Sequence, residues 1–338
     1  MTTYKKIVQT QRPDGMPTPN DFELVETQLG ELPPEHVTVE VDTLSIDAFI
    51  RTTLDQREDS FHGVGELGTP VVALGVGQVI DSTSDQYKVG DWVTGPLMAQ
   101  THAQLPAAAL QKIEPAANIP PQTYLGVLGM TTGLTAWAGM VPVGGLKADQ
   151  TVVVSAAGGA VGSVAAQLAK ARGARVIGIA GGPEKCARLI DEYGLDATID
   201  YKAGDVNGQL KALAPDGIDL FFDNVGGEIL DAVLDNLAMG ATVVICGAVS
   251  QYQNMTEVRG PALYLRIAER NACMRGFTVD QHTAEFEAGI KELSEYLIDG
   301  KIKLPEHTMT GIDSFPDALI GLLKGAHTGK MLVKPNAL

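Results

Sequence analysis

From Thr151 onward the sequence alternates short apolar runs with segments of helical length, and this limits the fold more than any other feature. Residues 151–155, 175–180, 197–200, 219–222 and 242–246 read as strands, with helices expected over 161–172, 184–193, 206–214 and 229–237. Strands separated by helices at this pitch pair in parallel, because a parallel neighbour needs a crossover of that length. Val152-Val-Val154 and Val243-Val-Ile245 are continuously apolar, as strands covered on both faces must be. The expected class is α/β with a parallel sheet.

The chain before residue 120 has a different texture. Residues 5–9, 22–27, 36–45 and 71–80 are short β-rich runs, punctuated by Pro17, Pro19, Pro33, Pro34, Gly65 and Gly68. Gly90-Asp91-Trp92-Val93 reads as a turn feeding a further strand, and residues 122–139 are small and helix-compatible. After the alternating block come an amphipathic helix over 283–299, a helix over 315–323 and a strand over 331–333. The division expected is a β domain made of 1–125 and 302–338, interrupted by a parallel-sheet domain over 126–301.

Chemistry concentrates at Val152-Val-Val-Ser-Ala-Ala-Gly-Gly-Ala-Val-Gly162, an apolar strand running into a glycine turn and then a helix. Gly159 and Gly162 match the second and third glycines of G-x-G-x-x-G, with Ala157 in the first place. Such a turn lets backbone approach a pyrophosphate, which rests on the helix N-terminus at Ala160 and Val161, where free N–H groups and the dipole favour negative charge. A tight helix–sheet turn with no ligand would use the same residues. The setting within repeated strand–helix units favours a dinucleotide and a Rossmann domain. An NAD site usually has an acid at the end of the second strand; here that strand ends Ala180-Gly181-Gly182. Pro183 suits the first helical position, and Lys185 follows in the first turn, where a cation opposes the dipole unless an anion sits there. A 2′-phosphate is the expected anion, and NADPH the expected cofactor. A solvated surface lysine is the plainer alternative.

Composition narrows the partners. In 338 residues, 25 Lys and Arg face 41 Asp and Glu, a net charge of −16. That disfavours nucleic acid and anionic membrane surfaces as partners. The three cysteines, Cys186, Cys246 and Cys273, form no disulfide or zinc pattern. The uncharged stretch 150–169 holds Ser155, Gly158, Gly159, Gly162, Ser163 and Gln167, a poor membrane span. A soluble cytoplasmic protein without a signal peptide is expected.

Several further segments resemble the zinc-independent branch of the medium-chain dehydrogenase/reductase superfamily that holds prostaglandin, alkenal and curcumin reductases. They are Leu44-Ser-Ile-Asp47, Leu128-Gly-Met130, Gly133-Leu-Thr-Ala136, Asp200-Tyr-Lys202, Phe222-Asp-Asn-Val-Gly-Gly227, Cys246-Gly-Ala-Val-Ser-Gln-Tyr252 and Gly325-Ala-His-Thr-Gly-Lys330. The resemblance implies a GroES-like β domain, a Rossmann domain, a cofactor cleft and hydride transfer from NADPH to an activated C=C bond. It implies that Lys185 and Tyr201 contact the 2′-phosphate and that Asn224 lies at a cofactor ribose. Thr135 and the segment from Phe277 to Val279 would hold the nicotinamide end, and Gly181, Cys246, Gly247, Ser250 and His327 complete the expected cofactor set. Tyr252 would hydrogen-bond the nicotinamide ribose or the substrate carbonyl as the catalytic group; a loop tyrosine without chemical role is the alternative. Phe49, Met255, Tyr264 and Tyr252 are the expected substrate wall, and 251–260 reads as a mobile lid. A homodimer is common among such relatives.

The departures are informative. Ala48-Phe49 stands where the family usually has Pro-Tyr, and His327 where it often has Asn. Met130-Thr-Thr-Gly133 is one residue longer than the usual form. The Gly-His-Glu segment of zinc relatives does not occur; His62 is followed by Gly63-Val64, and Ser45 stands near the catalytic cysteine's place. The expectation is thus an enone or enal reductase without metal. An NADPH:quinone oxidoreductase and a non-catalytic NADPH-binding sensor are the alternatives.

Overall fold

The computed structural model describes residues 2–56, 62–253 and 257–336. The chain divides into two compact units, Met1–Leu125 with Glu306–Leu338, and Gly126–Pro305.

In the first unit, β1 (Thr3–Gln9) and β2 (Phe22–Gln28) form an antiparallel pair. The larger sheet uses β3 (His36–Ile46), β4 (Gly75–Ser82), β5 (Trp92–Gly95), β6 (His102–Pro106) and β7 (Gln111–Ile113), with a single helical turn, α1 (Ile50–Thr53), after β3. β3 is the organising strand: β4 and β6 both pair with it antiparallel. Val37, Val39 and Val41 alternate inward from β3 to a core shared with Ile46, Ile50 and Leu97. The runs β6 and β7 are too short and polar to be read from pattern alone.

The second unit opens irregularly. Residues 122–139, read as helix-compatible, start in a tight turn over Pro121–Tyr124 and from Met130 run into one continuous helical stretch, wound wide over Met130–Leu134, α-helical in α2 (Thr135–Ala138) and wide again over Gly139–Val143. Pro142 lies inside the last wide turn of that stretch, which ends at Gly144 and Gly145, the latter with a left-handed φ of 64°. The strands are then β8 (Thr151–Val154), β9 (Arg175–Ala180), β10 (Ala197–Asp200), β11 (Ile218–Asp223), β12 (Leu237–Ile245) and β13 (Cys273–Gly276). Between them lie α3 (Ala160–Ala171), α4 (Pro183–Asp191), α5 (Val206–Leu213), α6 (Gly227–Leu234) and α7 (Leu265–Glu269); α8 (Phe286–Ile298) follows. The six strands pair in parallel in the order β10-β9-β8-β11-β12-β13. Written from β8 as one, this is 3-2-1-4-5-6, the doubly wound order of dinucleotide-binding sheets. β12 begins at Leu237, which the sequence placed at the end of a helix; its first residue pairs with Ile218 across an irregularity in register. The whole stretch from Gly162 to Ala169 of α3 is buried, which its small residues permit.

The chain then returns to the first unit with β14 (Glu306–Thr310), α9 (Phe315–Leu323) and β15 (Lys330–Lys334). β15 lies between β14 and β3. Met331 pairs with Ile46 and Leu332 with Ser45, so Lys330 stands opposite Asp47. The two form a buried ion pair at 2.6 Å, and the Ser45 hydroxyl donates to the same carboxylate. Among the described residues no helix is long and apolar enough to cross a membrane.

Candidate functional site

The C-terminal tips of the parallel strands gather most of the residues singled out from sequence. β8 ends at Val154, and the chain turns through Ser155 and Ala156, the latter with a left-handed φ of 48°. Gly159 is the N-cap of α3. A Cβ on Gly162 would fall 2.3 Å from the Ala156 carbonyl oxygen, so only glycine fits there. The glycine is needed against the turn's own backbone, rather than for helix–sheet packing as the motif alone suggests. The first N–H groups of α3, at Ala160, Val161 and Gly162, have no carbonyl within the helix to receive them. The turn is fixed to its neighbours, Ala157 N–H donating to Ile179 O at 3.0 Å and Ser155 N–H to Phe222 O at 3.1 Å.

Beside this turn lies a second group. One Asp200 oxygen accepts Gly182 N–H at 2.8 Å and Lys202 N–H at 2.9 Å, tying the tip of β9 to the tip of β10. Tyr201 is thereby laid over Gly181, its ring within 3 Å of where a Cβ would stand. Lys185 runs along Gly158, its Cδ 3.7 Å from the site of a missing Cβ. Burial, and then the charge of Lys202, push the Lys185 ammonium below the ordinary lysine range. Two cations therefore converge beside a helix N-terminus in a chain of net charge −16. Lys202 was not singled out from sequence, although it lies inside the Asp200-Tyr-Lys202 segment.

Where the strand order reverses, between β8 and β11, the Ser155 hydroxyl donates to Asp223 at 2.8 Å and accepts Asn224 N–H at 2.8 Å. The Asn224 side-chain amide donates to Ser155 O at 2.7 Å, which directs its carbonyl oxygen away from β8. Asp223 is fully buried, and burial raises its pKa against the N–H donors of Val225 and Gly226 and the Ser155 hydroxyl. Its backbone carbonyl accepts Cys246 N–H at 2.8 Å and Gly247 N–H at 3.1 Å. This residue thus sets the segment that carries Cys246, Gly247, Ser250 and Tyr252. Sequence reading quoted it inside a motif without giving it a task.

Tyr252 turns its hydroxyl back over that segment, accepting Ala248 N–H at 3.2 Å. A Cβ on Gly247 would lie 2.8 Å from the same oxygen. Burial raises the phenol pKa, so Tyr252 keeps its proton at neutral pH and can donate it in a hydrogen bond. The Cys246 thiol is pushed up to about 12, by burial and then by Asp223, and stays protonated. Ser250 Oγ donates to Val225 O at 2.6 Å. Thr135 donates its hydroxyl to Met130 O at 2.7 Å and so can only accept from a further partner. Phe277 meets His282 edge-on at 6.0 Å, and Val279 begins the turn that leads into α8.

The remaining positions stand elsewhere. Tyr264 is 60% exposed at the start of α7, a segment held to α6 by Leu263 N–H on Asp231. Met255 lies outside the described residues. Phe49 and His327 belong to the first unit, where Phe49 leads into α1 and His327 stacks on His307 at 4.2 Å. Among the described residues no group of three or more His, Cys, Asp or Glu could hold a metal ion.

A parallel sheet in this order, with a glycine turn at its reversal and cations at its second and third tips, defines a dinucleotide-binding oxidoreductase domain. Family models described as the N-terminal domain of oxidoreductase and as zinc-binding dehydrogenase match residues 5–113 and 160–295. The NADPH-dependent curcumin reductase of Escherichia coli (strain K12) is 34% identical over 98% of this chain and 96% of its own length. Prostaglandin reductase 1 of Sus scrofa is 35% identical over 95% of each chain. The crystal structure of CurA from Vibrio vulnificus in complex with NADPH superposes with a TM-score of 0.93 at 34% identity, covering 99% of this chain and 100% of that one. The chain belongs to the zinc-independent reductase branch of the medium-chain dehydrogenase/reductase superfamily.

Proposed function

We propose that this protein is an NADPH-dependent reductase of the C=C bond in α,β-unsaturated ketones and aldehydes. The observation that carries the reading is the pair of cations, Lys185 and Lys202, beside a glycine turn whose Gly162 tolerates no side chain. That arrangement suits a dinucleotide with an extra phosphate on its adenosine ribose. The names of two relatives and one neighbouring structure support the same cofactor and reaction class.

In this reading residues 126–301 bind cofactor, and residues 1–125 with 302–338 supply the substrate side. The α3 N-terminus takes the pyrophosphate. Lys185, Lys202 and Tyr201 take the 2′-phosphate over Gly181, and Asn224 offers its carbonyl oxygen to a ribose hydroxyl. Thr135, Phe277 and Val279 face the nicotinamide end. Bound NADPH supplies a hydride for the β-carbon. Negative charge then collects on the substrate's carbonyl oxygen, where the Tyr252 hydroxyl donates a hydrogen bond; one such preorganised donor contributes about 3–4 kcal/mol. The α-carbon afterwards takes a proton from Tyr252 or water. We place the protein in the cytoplasm and expect a homodimer.

The test is a panel of enones, enals and quinones incubated with enzyme and NADPH, following absorbance of the reduced nicotinamide. Turnover with enones is expected. Preference for quinones would move the protein to the quinone-reducing class, and binding of NADPH without turnover would make it a sensor.

A further inference from the structure

A groove of about 390 Å³ lies on the larger sheet of the first unit, lined chiefly by Glu40, Asp42, Gln78, Trp92, Lys334 and Asn336. Three of these residues form one row. Glu40 on β3 pairs with Gln78 on β4, and Gln78 with Trp92 on β5, so their side chains leave the same face of the sheet. Val41 pairs with Gly77 and Thr43 with Val76, which makes Asp42 the extra residue of a β-bulge. The Thr43 hydroxyl donates to the Asp42 carboxylate at 2.6 Å. Lys334 ends β15 beside that bulge, since Val333 before it pairs with Leu44. The Asn336 amide donates to Val41 O at 2.8 Å and to Thr101 O at 3.2 Å, which leaves its own Oδ1 as an acceptor.

The groove holds charges of both signs that do not meet. Among the described residues, Lys334 forms no ion pair, and the Glu40 carboxylate and the Trp92 indole N–H form no hydrogen bond with the protein. Lys334 acts on Glu306, and Glu40 on His102, only at a distance. The strand order β15-β3-β4-β5 sets these groups in sequence across the sheet: a cation, two carboxylates, an amide and an indole. β5 runs about 10 Å from β3, two strand spacings away.

That sequence matches a molecule with an anion at one end, a cation next to it and a flat apolar group at the other end. We propose that the groove binds a free aromatic α-amino acid. Its carboxylate pairs with Lys334, its ammonium sits at Glu40 and Asp42, and its side chain crosses Gln78 to place the ring against Trp92. A zwitterion satisfies both signs of the groove at once, whereas a ligand of one sign meets a like charge. The site is independent of the reductase reading.

Calorimetric titration of the full-length protein with L-phenylalanine tests this. Saturable binding is expected. N-acetyl-L-phenylalanine lacks the ammonium, L-phenylalaninamide the carboxylate and L-alanine the ring; each should bind about tenfold more weakly or worse, as the loss of a charged hydrogen bond or an aromatic contact requires. Lys334→Met and Glu40→Gln should each weaken L-phenylalanine to a similar degree. Both lie at the surface, so the denaturation midpoint and the affinity for NADPH should stay at their wild-type values. Absence of saturable L-phenylalanine binding overturns the proposal. So does undiminished binding of the amide, which would make the groove a plain cation site, or binding that survives both substitutions, which would place it elsewhere.

Discussion

The Ser155 hydroxyl donates to the Asp223 carboxylate at 2.8 Å, joining the tips of the two strands between which the sheet reverses its order. The same oxygen accepts Asn224 N–H, so a single side chain satisfies both sides of the reversal. Ser155→Ala strands a buried carboxylate contact and a backbone donor at once. A loss of about 1–3 kcal/mol is expected, read as a lower denaturation midpoint, together with weaker NADPH binding. An unchanged midpoint would show that water replaces the hydroxyl at no cost.

Lys185→Ala should weaken NADPH about tenfold or more and leave NADH nearly unaffected, because only the former carries the 2′-phosphate. Lys202→Ala should act in the same direction and less strongly. Burial and Lys202 lower the Lys185 pKa, so its charge is lost at a lower pH than an ordinary lysine's. NADPH affinity should therefore fall as pH rises into the alkaline range, and Lys185→Ala should flatten that decline. Fluorescence titration with both nucleotides across pH measures all of this; equal weakening of both would remove the phosphate assignment.

Tyr252→Phe should lower kcat by roughly two orders of magnitude, comparable to losing one oxyanion donor, with little change in KM for NADPH. Because burial raises the phenol pKa, no ionisation of Tyr252 should appear in the rate profile near neutral pH. Unchanged turnover would remove its catalytic role.

Glu292 gathers Arg172 Nε at 2.8 Å, Arg172 Nη2 at 2.7 Å and Trp137 Nε1 at 2.7 Å. Burial alone would raise its pKa; Arg172 and then Trp137 outweigh it and hold the carboxyl below the usual range. A lowered folded pKa contributes stability above the unfolded value of about 4.3 and loses it as pH falls through the folded one. Glu292→Gln should cost about 1–3 kcal/mol at neutral pH. The gap between variant and wild type should close in acid. Denaturation midpoints at pH 7 and pH 3 decide it.

Much of this molecule could be read before folding. The apolar runs of β8, β9 and β12 and the glycine turn are local signals, and they place the parallel sheet and the α3 N-terminus. The edge strand β10 was legible, whereas the edge strands β13 and β14 escaped, because β13 reads Cys-Met-Arg-Gly and β14 is mostly exposed, leaving no apolar pattern to detect. The helix-compatible reading of 122–139 holds from Met130 onward and not before it, where the chain folds back so that Gly133 N–H bonds to Gly126 O at 3.1 Å. Contacts between distant segments were the least legible part of the site. The nearness of Lys202 to Lys185 has no signature in spacing.

Lys330 is 1% exposed and bonds Asp47 at 2.6 Å. Lys330→Met leaves that carboxylate buried without its cation and should cost about 3–5 kcal/mol. Replacing both, as Asp47→Leu with Lys330→Met, should recover most of the loss. Chemical denaturation of the three proteins separates the outcomes, and an additive pair would show that the ion pair has no coupling.

The same pair sets a clock on biosynthesis. Asp47 and Lys330 are 283 residues apart, so at ~5–20 residues per second the aspartate waits roughly 15–60 s for its lysine to be translated. During that interval the β15-facing edge of β3 lacks its partner, while the parallel-sheet unit, encoded in between, emerges from the ribosome without a break. The first unit begun is therefore the last completed, and the nascent chain passes through a stage with an open strand edge that a holding chaperone would recognise.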